Sequence, residues 1–62
     1  MSTRDEHHPI VSQASGMVSV QAECTLDEAL VLMKERALVA GESLLDIAEA
    51  TVDRRIRFGP IP

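Results

Sequence analysis

A chain of 62 residues holds one domain, and a domain of this size buries only about 60% of the surface that its unfolded chain exposes. Ordering costs about 1.5 kcal/mol per residue and nearly cancels an apolar gain of about 25 cal/mol per Å², so small scaffolds commonly draw support from disulfides, metal or association. A single cysteine, Cys24, excludes an internal disulfide; a formal charge of −4 excludes a global attraction for polyanions; and no apolar run reaches the roughly 18 residues that span a bilayer.

Hydrophobic residues make up 45% of the chain, more than three short helices readily hide in one core, which leaves self-association or a larger partner as the source of support. Phe58 is the sole aromatic side chain, and a composition led by Ala, Leu, Val, Glu and Arg favours helix over sheet. The polar N-terminus does not resemble an apolar signal peptide, so the expected location is cytoplasmic.

Residues 1–9 read as a polar, disordered leader ending at Pro9, a residue favoured in a first helical turn, and His7 and His8 belong to it as solvated side chains rather than metal ligands. A first helix is expected from there to about Glu23. Its apolar or small positions Ile10, Ala14, Met17, Val20 and Cys24 recur at three- and four-residue spacing, and a second stripe, Val11 and Val18, lies beside them. Gly16, inside this helix, costs about 1 kcal/mol relative to Ala and marks a place where another helix or a ligand comes close.

Thr25-Leu26-Asp27-Glu28 reads as a capping box and opens a second helix, with Leu26, Ala29, Leu30, Met33 and Ala37 inward and Gly41 as its stop. Ser43-Leu44-Leu45-Asp46 repeats the Ser-x-x-acid start, and a third helix is expected to about Ile56 through Leu44, Ile47, Ala48, Thr51, Val52 and Arg55. Asp46 and Glu49 sit early in it and Arg54, Arg55 and Arg57 late, as the helix dipole favours. Phe58 is expected to pack back on the bundle, and residues 59–62 form a tail. The fold class is therefore all-α, a small three-helix bundle spanning residues 10–58.

No catalytic constellation emerges. Cys24 reads as a small buried hydrophobe, and the pairs Asp27/Glu28 and Asp46/Glu49 sit where carboxylates cap helices. No cofactor, metal or small-molecule site is expected. Basic residues cluster at two places, Lys34 with Arg36 and Arg54 with Arg55 and Arg57, each read on its own as a solvated helix end.

Taken in order, Gln13-Ala14-Ser15-Gly16-Met17, Thr25-Leu26-Asp27-Glu28-Ala29-Leu30, Ser43-Leu44-Leu45-Asp46-Ile47-Ala48 and Arg54-Arg55-Ile56-Arg57-Phe58 resemble the ANTAR domain, closest to the actinobacterial branch in which it follows a GAF sensor domain. The resemblance spans nearly everything from Ile10 to Phe58. It implies a three-helix RNA-binding module that stabilises paired stem-loops in nascent transcripts and so prevents a terminator hairpin, acting as a dimer. By the same resemblance Ala14 and Gly16 occupy the family's Ala-x-Gly pair and permit close approach to a base or a helix. Gln13 and Ser15 flank that approach, and Lys34, Arg36, Arg54, Arg55 and Arg57 serve phosphates or loop bases. Ser15 stands where many members carry a basic residue, and Val18-Ser19-Val20-Gln21 where they carry a Leu-Met-Glu-Arg-like segment. Members also carry an N-terminal receiver or GAF domain, so this chain is expected to be a stand-alone module, a truncation or one domain of a larger product. The alternative is a helical interaction or dimerisation module that has lost affinity for RNA.

Overall fold

The computed structural model describes residues 7–58, all of whose regular structure is helical: α1 (Pro9–Ala22), α2 (Leu26–Ala40) and α3 (Leu44–Val52). Each helix packs against the other two, so the class is the expected all-α three-helix bundle. Residues 1–6 of the leader and the tail at 59–62 lie outside the described residues.

Local chemistry sets the starts. His8 caps α1, its Nδ1 accepting the Ile10 N–H at 3.2 Å, and Pro9 fills the first helical position, where a missing N–H costs nothing. His8 thus serves the helix instead of standing in a solvated leader. The Thr25–Glu28 capping box forms in full: Thr25 Oγ1 accepts the Glu28 N–H at 3.1 Å, and Glu28 Oε1 accepts the Thr25 N–H at 2.9 Å. At α3, Ser43 Oγ accepts the Asp46 N–H at 3.0 Å. Thr25→Ala should lower stability by about 1 kcal/mol, read as a fall in thermal midpoint. Donation from the Thr25 backbone N–H, and after it from the Thr25 hydroxyl, holds the Glu28 carboxyl below its ordinary value of 4.5. Its folded form therefore favours the ionised state, so this contribution is present above pH 4.5 and is lost as pH falls through the lower folded value. An acid titration of the thermal midpoint should show less loss below that pH in Glu28→Gln than in the parent.

The three helices end alike. Glu23, Gly41 and Arg54 each adopt a left-handed conformation, with φ of 54°, 69° and 63°. In each case the following amide reaches back five residues, Cys24 N–H to Ser19 O at 3.0 Å, Glu42 N–H to Ala37 O at 3.0 Å and Arg55 N–H to Ala50 O at 2.8 Å. This bond satisfies carbonyls that the helix leaves open. Only Gly41 adopts such a φ without a steric penalty; for Glu23 and Arg54 it costs on the order of 1–2 kcal/mol. The turn at Arg54 stops α3 at Val52, short of the expected Ile56. Arg54, Arg55 and Arg57 consequently lie beyond the helix, not in its last turn.

The core gathers Val11, Ala14 and Val18 of α1, Ala29, Met33 and Ala37 of α2, and Leu44, Ile47 and Ala48 of α3, with Ile10, Cys24, Leu30, Ile56 and Phe58 packed around it. Of the two stripes of α1, the second is therefore inner, together with Ala14 of the first, while Val20 is 77% exposed. Leu26, expected on the inner face of α2, is also exposed. Half of the ten buried hydrophobics are alanines, which lets the helix backbones approach closely but buries little apolar area per residue. The one buried polar side chain among the described residues, Thr51, donates its hydroxyl to Ile47 O at 2.8 Å.

Candidate nucleic-acid interface

α1 carries no charged residue, and its face opposite the Val11–Ala14–Val18 stripe presents Gln13, Gly16, Met17 and Val20. Beside this face the chain returns after α3. The left-handed Arg54 reverses its direction, and Phe58 is then tied down on two sides. Its N–H donates to Gln21 Oε1 at 3.0 Å, and the Arg36 guanidinium lies 5.7 Å from its ring centroid. A cation over an aromatic face contributes about 0.5–1 kcal/mol at an exposed site. Between α1 and this returning segment lies an open cleft of about 660 Å³ lined by Gln13, Gly16, Met17, Val20, Gln21, Arg54 and Arg57.

The cleft unites part of the expected site. Gln13 and Gly16 meet Arg54 and Arg57, although they are far apart in sequence. With α1 uncharged, the two arginines give the cleft its charge, a local positive patch on a chain of net −4. The remaining residues fall elsewhere. Ala14 is 0% exposed, so its side chain serves helix packing and does not reach a bound partner. Ser15 is half-buried, does not line the cleft and donates its hydroxyl to Ser12 O at 2.9 Å. Arg55 points to Asp53, with 3.7 Å between their charged atoms and both side chains about two-thirds exposed, a pair that contributes roughly 0–1 kcal/mol. Arg36 is engaged with Phe58, and Lys34 is a half-buried residue of α2 outside the cleft.

Gly16 has a specific position here. A Cβ built on it meets nothing within 4 Å, so no neighbouring helix of this chain requires the glycine. The close approach expected at Gly16 is thus absent within the bundle, and the open side of the residue faces the cleft. Sequence reasoning missed Met17, Val20 and Gln21 as cleft residues. The signal lay in the pairing of an uncharged helix with two equivalent apolar stripes: whichever stripe is not core becomes surface.

Among the described residues, no three His, Cys, Asp or Glu side chains converge to hold a metal ion, and no helix is long and apolar enough to cross a membrane. Fold and cleft together define a small all-α bundle with a local cationic groove. No family model matches the chain, and no curated protein or solved structure matches it either.

Proposed function

We propose that this chain is an RNA-binding regulator of transcription antitermination, acting in the cytoplasm on stem-loops of nascent transcripts by contact rather than by catalysis. The observation that carries the reading is the cleft itself, in which Arg54 and Arg57 stand across from Gln13, Gln21 and an open Gly16. Guanidinium groups suit phosphates, the Gln13 amide can donate to and accept from unpaired base edges, and Gln21, whose Oε1 accepts the Phe58 N–H, can donate its amide NH2. No aromatic side chain lines the cleft, so recognition here depends on hydrogen bonds, charge and the arginine planes and not on aromatic stacking. The order of motifs shared with the ANTAR domain supplies the biological context.

A gel-shift titration against a two-stem-loop RNA over a range of salt concentrations tests the reading. Two phosphate contacts predict a log–log slope of about −1.4 to −1.8. Absence of a shift at low salt, or a slope near zero, would exclude it. Gly16→Ala gives a sharper test, because its two effects have opposite signs. The added methyl meets no atom of the chain and removes a glycine from a helix interior, so stability should rise by about 0.5–1 kcal/mol. RNA affinity should fall, since the methyl narrows the cleft. An affinity that is unchanged or improved would remove Gly16 from the interface.

A second reading, a helical module that pairs with itself or with relatives, is favoured by one observation. Val20, Leu26, Val31, Leu38 and Val39 are 53–86% exposed. A dimer that persists in sedimentation equilibrium without RNA, in a chain that never shifts the RNA, would favour this reading over the first.

A further inference from the structure

The outer face of α2 lies opposite its buried Ala29–Met33–Ala37 stripe and shares no residue with the arginine cleft. Along it, apolar and acidic side chains alternate: Asp27 and Glu28, then Val31 and Leu32, then Glu35, then Leu38 and Val39. Leu38 and Val39 are 83% and 86% exposed. Cys24, Asp27, Glu28, Val31 and Leu32 line a shallow hollow of about 420 Å³, apolar within and rimmed by the two carboxylates. Glu23 and Glu42 stand exposed at the two ends of the helix, so the helix and its ends carry five carboxylates against two cations, Lys34 and Arg36, the latter turned to Phe58.

We infer that this face docks a cationic amphipathic helix of another protein, one whose Leu or Ile stripe enters the hollow and covers Val31 and Leu38 while flanking Lys or Arg side chains pair with Asp27, Glu28 and Glu35. Charge selects the occupant. RNA and anionic lipid are repelled by this face, and a second copy seated here would bring two sets of five carboxylates into one seam, where like charges oppose binding. A helix laid into an apolar groove through residues three and four apart is a common recognition mode, and complementary charges on its flanks fix its orientation. The surface is independent of the RNA reading, so the chain can hold RNA in one groove and a protein on the other.

The test measures fluorescence anisotropy of a labelled peptide of about five helical turns, built from a Leu stripe flanked by Lys, against the full chain. A second peptide of identical composition has its Leu positions scattered. The amphipathic peptide should bind at least about tenfold more tightly than the scattered one, and Glu35→Lys/Leu38→Ser should weaken it at least about tenfold while leaving helical content unchanged. Arg54→Gly/Arg57→Ala should bind the peptide as the parent does, which separates this result from any failure of RNA binding. Equal affinity for the two peptides would reduce the effect to charge attraction and overturn the inference. Undiminished binding by Glu35→Lys/Leu38→Ser would overturn it as well. So would a parent dimer in sedimentation equilibrium that this double variant converts to monomer, since a second copy would then be the occupant.

Discussion

Met33→Ala should leave most of the chain unfolded at room temperature, seen as loss of helical circular dichroism without a cooperative melt. Met33 is the largest fully buried side chain and is 0% exposed, at the centre of a core otherwise rich in alanine. Truncating a buried Met to Ala costs about 2–5 kcal/mol, the removed transfer energy plus the cavity left behind. One core in a domain of this size supplies only about 3–5 kcal/mol, so the loss approaches the whole. Ala29 and Ala37, one turn away on either side, have no side-chain length with which to fill the space. Met33→Leu keeps most of the volume and should cost less than about 1.5 kcal/mol, with a melt that stays cooperative. A well-folded Met33→Ala chain would mean that the stability resides outside this core, in association with a further copy or partner.

Arg54→Gly/Arg57→Ala should reduce affinity for a two-stem-loop RNA by on the order of tenfold per arginine and flatten the log–log salt dependence by about 1.4–1.8, to near zero. Glycine is the appropriate replacement at Arg54, because φ is 63° there and any other residue retains the left-handed penalty. The double variant should therefore be no less stable than the parent, which separates lost binding from lost structure. Arg55→Ala is the control. Its side chain lies outside the cleft beside Asp53, and its removal should change affinity by less than about threefold. Equal losses from Arg55→Ala and from the cleft arginines would make the effect one of net charge and would dissolve the site.

Helix starts were legible because each rests on one short-range signal: Pro9, the Thr25–Glu28 box and Ser43 all act within a single turn. One of the three ends, that of α3, was not. Gly41 announces a left-handed stop and the capping box at Thr25 bounds the end of α1 at Glu23, whereas Arg54 adopts the left-handed geometry against its own preference with no residue type to mark the place. The inner face of α1 was ambiguous for a related reason. With no charge on the helix, Val11–Val18 and Met17–Val20 are equally apolar, and the packing of α2 and α3 decides between them. The grouping of the arginines followed the same division. Their clustering is visible in the sequence, but which of them faces α1 depends on a reversal at Arg54 that the sequence does not advertise.

The clasp at Phe58 has a consequence for the time course of folding. Its hydrogen bond to Gln21 joins residues 37 apart, so it can close only after the intervening chain has been ordered. Helix caps form within a single turn, whereas the packing of α3 on α1 closes loops about as long as this one. The cationic groove thus assembles only when α3 docks on α1, and amide protons at its exposed C-terminal wall should exchange at lower free energy than those around Met33. A partner that grips the groove closes this weakest gate, and in doing so steadies the whole bundle.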